Sequence, residues 1–519
     1  MQDHLENRFH GEMAMDDPAL AAVGASPDGV ADWQSIDWRS AQKSVYRLQV
    51  RIAKAVREKR RGKVHSLQRI LTRSLSAKRL AVRRVTTNRG KRTSGIDGVV
   101  WNTSRKKMQA VGKLTRRGYQ PSPLKRTYIP KRNGRRRALG MPTMKDRAMQ
   151  ALHLLALEPV AETVADPHSY GFRPKRSIQD AHGQCYVVLA KSYAPEWVFD
   201  ADIEACFDRI SHEWLLANVL MDKRVLQQWL RAGYLESQTL HATKEGTPQG
   251  GIISPALANL ALDGLEACVK EAAPKRRPKT APRSKAHLIR YADDLMVTAR
   301  TREILQDQVI PAITAFLQER GLRLSQEKSR IVHIADGLDF LGAHLRKHKG
   351  KLLMRPTKTN VIAIARDLKG YIRSQRGTSQ EHLIHQINRR LRGWANAFRH
   401  LVSAQAFRNV DNCVYHQLWR WACKRHGKKG KRWVWHRYYR RLRSGFWIFA
   451  SRSRGRTAVL FRARCLRIRR HIKIRSAARV YDPAYEAYFE QRRLLQRNGR
   501  QSDYYRWLDR KQLELNWAA

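Results

Sequence analysis

Residues 288–300 read LIRYADDLMVTAR, with two adjacent carboxylates, Asp293 and Asp294, between apolar flanks. Ile289, Tyr291, Val297 and Thr298 favour the pleated surface of a strand. Two short strands folding back at 292–294 put both acids at the tip of a hairpin. Acids beside long apolar neighbours are costly there unless paired or metal-bound. Taken alone, the run reads better as an Asp-Asp turn between two ordinary strands. A second acidic run, WVFDADIEACFDRI at 197–210, shifts that balance. Val198, Asp200 and Asp202 alternate with Phe199, Ala201 and Ile203, so one strand face carries two carboxylates. The strand is expected to end near Glu204, and Ser211 to cap a following helix. If Asp202 lies beside the Asp293 turn, the clustered charges repel, and hard Mg²⁺ ions with oxygen ligands relieve the repulsion. A pair of such ions suits in-line displacement at phosphorus.

The composition points to the partner. Across 519 residues, 102 Lys and Arg stand against 44 Asp and Glu, a net charge of +58. Self-repulsion on that scale opposes folding, so the excess implies a polyanion bound through counterion release. The basic residues run along the whole chain, which suggests an enveloping nucleic-acid contact. No 18-residue apolar run exists, so no membrane partner is expected. Six scattered cysteines without a CxxC pair read as reduced thiols. Residues 1–32 lack a secretory pattern and read as an acidic, disordered leader of a cytoplasmic protein.

Residues 33–90 have the i, i+3, i+4 pattern of helices with an apolar seam and a basic outer face, seen at Val45, Leu48 and Ile52 and again at Val64, Leu67 and Ile70. Residues 126–142, RTYIPKRNGRRRALGMP, read as a basic hairpin turning at Asn133-Gly134. Its Lys131, Arg132 and Arg135–Arg137 suit phosphate oxygens. Residues 149–164 read as an apolar helix. GTPQGGIISPALANLAL, at 246–262, joins a tight turn to another, with Gly250 and Gly251 permitting close backbone approach. Three amphipathic helices follow at 360–371, 382–399 and 404–425. After them comes a stretch to 480 in which Arg and Lys alternate with Trp and Tyr, the ingredients of phosphate contact and base stacking.

These blocks in this order (SGIDGV, YIPKRNGRRRALGMP, SYGFRPKRSIQDA, FDADIEACFDRI, GTPQGGIISPALANL, RYADDL, LRLSQEKS, LDFLGAHL) resemble the group II intron-encoded reverse transcriptase/maturase family. GWANAFR at 393–399 is similar to a signature of the family's thumb. The resemblance implies an α+β right-hand polymerase. Its expected parts are an N-terminal helical extension at 33–90, fingers and palm at 91–345, a thumb or maturase domain at 346–425 and a basic DNA-binding region at 426–480. It implies RNA-templated DNA synthesis from dNTPs with two Mg²⁺ ions, and binding of the parent intron RNA and of target DNA during splicing and reverse splicing. By the same analogy Asp202, Asp293 and Asp294 are the catalytic acids and, with the Ile203 carbonyl, the metal ligands. Phe207 is the gate against a ribose 2′-OH, Gln249 lies against the incoming dNTP, and Lys131, Arg137 and Lys328 complete the substrate contacts. Arg392, Trp394, Arg399, Lys428, Lys429, Lys431, Arg432, Arg437 and Arg440 are the expected nucleic-acid contacts.

Ala138 stands where the family usually has proline. Residues 481–519 resemble only the approach to an HNH endonuclease domain, so no endonuclease activity is expected, and a primer for DNA insertion must come from elsewhere. A monomer in the ribonucleoprotein is expected, cytoplasmic and associated with the nucleoid during integration. The alternatives are a reverse transcriptase recruited for host use, in defence or spacer acquisition, and a non-catalytic splicing factor.

Overall fold

The first helix, α1 (Trp38–Arg57), starts where the Asp37 carboxylate accepts from the backbone N–H of Arg39 and Ser40. The computed structural model describes residues 32–496 apart from 131–133, 135, 238, 274–283, 442–445 and 454–455. The leader, Lys131 and most of the hairpin turn expected at 133–134 lie outside the described residues. The chain divides into two bodies. The first comprises the chain up to Ala181, Trp197–Ile331 and Ile474–Glu486; the second comprises His182–Glu196, Val332–Lys473 and the chain from Ala487 on.

In the first body α1, α2 (Arg61–Arg73) and α3 (Leu75–Thr87) pack on α5 (Met144–Val164), while α4 (Ser104–Lys113) packs on α3. Val45, Ile52, Val64, Leu67 and Leu71 form the buried seam, and the basic residues stay largely outside. Helix α5 begins five residues before the apolar run at 149, because Thr143 caps it through the Asp146 N–H (3.2 Å). Pro159 lies inside α5 and has no N–H to give the carbonyl four residues back, that of Leu155. Gln49 of α1, itself buried, supplies the missing donor (Nε2 to the Leu155 oxygen, 2.8 Å). The Ile474–Glu486 segment returns to this body. Tyr481 is buried and donates to Glu158 of α5, and Arg57 pairs with Asp482.

Two sheets complete the first body. Strands β1 (Leu124–Pro130) and β2 (Arg136–Met141) form the expected basic hairpin, with Thr127 opposite Leu139 and Ile129 opposite Arg137. With β4 (Tyr234–Glu236) and β5 (Thr239–His241) they make a sheet of order β2-β1-β4-β5. Strands β3 (Trp197–Asp202), β6 (His287–Tyr291), β7 (Asp294–Ala299) and β8 (Arg330–His333) make the second, order β6-β7-β3-β8.

The second body holds the sheet β9 (Leu338–Phe340), β10 (Ala343–His348) and β11 (Lys351–Pro356). Three helices of near the expected extent follow: Lys358–Ser374, Gln380–Phe398 and Ala404–Arg425. A further helix, Lys431–Tyr438, leads into the sheet β12 (Tyr439–Arg441), β13 (Trp447–Ser453) and β14 (Arg456–Val459). The basic stretch after 425 packs against those helices. Buried Asn388 donates to the Val459 carbonyl (2.8 Å) and accepts from the Phe461 N–H (2.7 Å). Asp411 accepts from the backbone N–H of Ala463 and Arg464.

Candidate active site

Strands β6 and β7 are the two arms of the 288–300 run, paired antiparallel with Tyr291 opposite Asp294. Ala292 takes a left-handed conformation (φ 57°) at the turn, and Asp293 follows it. Strand β3 lies against β7 with Asp202 directly opposite Asp294. The Asp202 carbonyl accepts the Ser325 N–H on the other side of β3 (2.9 Å). Its pair with Asp294 is therefore of the non-hydrogen-bonded kind, in which facing Cα atoms stand about 4.5 Å apart and side chains are closest. The next residue, Ile203, bridges Leu324 through the peptide groups of its neighbours, so its own carbonyl turns toward the Asp293–Asp294 side.

Burial pushes the Asp293 carboxyl above its ordinary range; the Asp202 carboxylate adds to the shift, and the Arg137 and Lys328 charges oppose it. Lys328 donates its ammonium to Asp202, and that hydrogen bond raises the lysine's own pKa. Among the described residues no group of three or more His, Cys, Asp or Glu side chains is arranged to hold a metal ion. Asp202, Asp293 and Asp294 are the oxygen donors present, and Mg²⁺ is commonly held through one or two carboxylates completed by substrate phosphates. The Lys328 side chain is 60% exposed.

Of the other expected substrate residues, Arg137 is close enough for its charge to act on Asp293, and Lys131 lies outside the described residues. Between Asp202 and the Ser211-capped helix the chain makes a short helix, Cys206–Arg209, absent from the sequence reading. Phe207 on it is half-buried, edge-on to Phe172 at 6.2 Å. Gln249 donates to Asp208 on the same helix (Nε2 to Oδ2, 2.8 Å), and its carbonyl accepts the Gly140 N–H of β2 (2.8 Å). Gly250 follows at φ 123°, where a Cβ would stand 2.7 Å from the Gly140 oxygen; only glycine lets that turn reach β2.

A buried clamp behind the turn escaped the sequence reading. Arg290, fully buried on β6, donates to Asp263 (2.5 Å) and to the Asn259 side-chain oxygen (3.2 Å). Asn259 in turn donates to the Gly171 carbonyl (2.8 Å). Gly171 lies so close to the turn that a Cβ would come within 2.4 Å of the Ala292 nitrogen. Burial pushes Asp263 up to about 6, against the pull of Arg290 and Arg173. The available signal was a lone arginine inside an otherwise apolar strand, HLIRY.

Three family models match: "Reverse transcriptase (RNA-dependent DNA polymerase)" over residues 129–345, "N-terminal domain of reverse transcriptase" over 33–114 and "Group II intron, maturase-specific domain" over 361–439. Protein YkfC of Escherichia coli K12 is 30% identical over 306 residues, 52% of this chain and 80% of that protein. The chain belongs to the group II intron reverse transcriptase/maturase family. The group II intron-encoded protein LtrA of Lactococcus lactis is 28% identical over 54% of this chain, but the match takes in only 56% of LtrA. A 91 kDa protein in the cob intron of Schizosaccharomyces pombe is 26% identical over 53% of this chain and 41% of its own length. The protein therefore carries the domains of an RNA-directed DNA polymerase and an intron maturase, on an α+β polymerase fold that uses divalent metal ions. No helix among the described residues is long and apolar enough to cross a membrane.

In the maturase domain the basic residues part into two groups. Lys428, Lys429, Lys431, Arg432 and Arg437 are exposed, as a phosphate contact requires. Arg392 and Arg440 are half-buried and donate to backbone carbonyls nearby, Arg392 to Asn388 and Arg440 to Tyr439. One expectation needs correction. Arg399 is only 7% exposed and donates to the Arg467 carbonyl (2.9 Å), so it ties the chain together and does not face solvent. Trp394 is half-buried and packs against Phe398 and Phe407 (5.7 and 5.5 Å). Trp435 is likewise committed, stacked on Tyr439 at 4.5 Å.

Proposed function

We propose that this protein copies its group II intron RNA into DNA and assists that intron's splicing and reverse splicing into target DNA. The observation that carries the polymerase half is the opposition of Asp202 to Asp294, with Asp293 in the adjoining turn. Asp202, Asp293, Asp294 and the Ile203 carbonyl would hold two Mg²⁺ ions, which would supply activation of the primer 3′-hydroxyl and charge stabilisation of the departing pyrophosphate. The protein's own residues do the positioning. Arg137, with Lys131 six residues before it in the same basic run, draws the triphosphate of the incoming dNTP toward the acids. Phe207 stands under the sugar and leaves no room for a 2′-hydroxyl. Gln249, steadied by Asp208, lies against the nucleotide. Lys328 neutralises Asp202 until substrate and metal arrive, then offers its charge to the phosphates.

The maturase half rests on the matched domain and on charge. The exposed cations of residues 428–437 contact RNA phosphates and stabilise the folded intron, whose own catalytic core performs the splicing chemistry. The protein acts as a monomer in the ribonucleoprotein, in the cytoplasm and at the nucleoid during integration. Primer extension on an RNA template with Mg²⁺ and dNTPs tests the reading, with Asp293→Ala alongside. Extension by the wild type and none by the variant, with intron RNA bound equally by both, is expected. Extension surviving in Asp293→Ala would remove the metal-site assignment.

A further inference from the structure

The second body encloses a cavity of about 200 Å³ between the Ala404–Arg425 helix and the strands and chain that follow it. It is smaller than the roughly 300–1,000 Å³ clefts that take drug-sized molecules and is on the scale of one planar ring system. Tyr415, Phe449 and Phe461 give it aromatic walls. Its polar lining comprises Asp411, Asn412, the hydroxyls of Tyr415 and Tyr439, and the guanidinium groups of Arg462 and Arg464. Tyr439, only 2% exposed, carries a buried hydroxyl with no hydrogen-bond partner. Tyr415 and Arg462 line the same cavity. Arg462 is half-buried and gives one guanidinium nitrogen to the Trp447 carbonyl, which leaves others for a ligand.

The single acid in the wall is already satisfied. Asp411 accepts from the backbone N–H of Ala463 and Arg464 (2.8 and 2.9 Å) and from the Arg464 side chain (3.0 Å). The cavity thus offers aromatic faces with a hydroxyl and guanidinium donors, and Tyr439 in its wall follows the exposed cations at 428–437 in sequence. Donors at an aromatic-walled slot match a base edge with two acceptors side by side. Guanine presents O6 and N7 in that way, and arginine pairs with both. Unstacked bases are what proteins read in single-stranded RNA, by stacking on aromatic side chains and hydrogen bonding at their edges.

We propose that this cavity takes one unstacked guanine of the bound RNA, stacked on the aromatic walls and hydrogen-bonded by Arg462 and the Tyr439 hydroxyl. The proposal deepens the RNA-binding reading and rests on it. Full-length protein is titrated in EDTA with GMP, AMP and ribose 5-phosphate, followed by saturation-transfer NMR, for the wild type, Tyr439→Phe and Arg462→Gln. GMP is expected to bind several-fold more tightly than AMP. Tyr439→Phe should weaken GMP about fivefold, the worth of one hydrogen bond, and Arg462→Gln should abolish the preference for GMP. The dGTP KM in primer extension should stay unchanged in both, showing that each variant is folded. Equal binding of GMP, AMP and ribose 5-phosphate would overturn the proposal, as would wild-type GMP affinity in both variants. A wild type that binds GMP selectively yet extends no primer would sink the polymerase reading and leave the guanine site standing.

Discussion

The facing acids set the behaviour of the proposed metal site residue by residue. Asp293 holds its proton more tightly in the folded chain than in the unfolded one, because burial and the Asp202 charge disfavour its ionised form. Without metal, this group makes folding less favourable as pH rises from the unfolded value of about 3.9 through its raised folded value. A divalent cation needs the ionised carboxylate, so the proton and the metal compete. The Mg²⁺ concentration giving half-maximal primer extension is therefore expected to fall as pH rises, and to level off once Asp293 is ionised. A requirement that stayed flat or climbed with pH would show that Asp293 does not ligate the ion. Lys328 follows the same electrostatics in reverse, its charge secured by the carboxylate it waits on.

The Asp293 hairpin, as an element, is held from behind. Arg290 on β6 reaches Asp263 and Asn259, Asn259 reaches Gly171, and Gly171 presses on Ala292. The two acids at the tip are thus positioned by residues on their non-catalytic side. Breaking a buried ion pair by removing one partner strands the other charge and costs roughly 3–5 kcal/mol, whereas replacing both by apolar groups is often neutral. Arg290→Leu should destabilise the first body by about that much and lower kcat, while Arg290→Leu with Asp263→Leu should regain most of the stability. With its arginine gone, Asp263 would titrate above its present value of about 6. The single variant should then lose stability as pH rises through that higher value, and be least impaired in acid. Thermal unfolding of the three proteins across that pH range checks the sign; a double variant no more stable than the single would refute the clamp.

For the whole molecule the dominant quantity is charge. An excess of 58 positive charges over 519 residues makes RNA affinity steeply salt-dependent. Lys428, Lys429, Lys431 and Arg432 are exposed together beside the maturase helices. If all four touch phosphate, replacing them with alanine should lower the slope of log K against log salt by about 3 to 4, at roughly 0.7–0.9 for each contact. Polymerisation on a short primer–template should change far less. An unchanged slope in intron binding would move the RNA contact elsewhere on the surface.

Local pattern carried much of this protein. Alternation marked β3 and placed Asp200 and Asp202 on one face, a turn between apolar arms marked the Asp293 hairpin, and 3.6-residue periodicity marked the thumb helices to within a few residues. Each is a property of neighbours in sequence, where period and propensity act. Tertiary structure decided what depends on distant partners. Gln49 meets the carbonyl freed by Pro159, 106 residues away at Leu155, and Asn259 meets Gly171 across 88. Arg399 and Trp394 were expected as contacts, yet Arg399 is buried against the chain at 467–469, and half-buried Trp394 packs on Phe398 and Phe407. The same composition reads as interface or core until the chain closes on it, because charge and aromaticity are fixed by sequence while desolvation is fixed only by the partner that arrives.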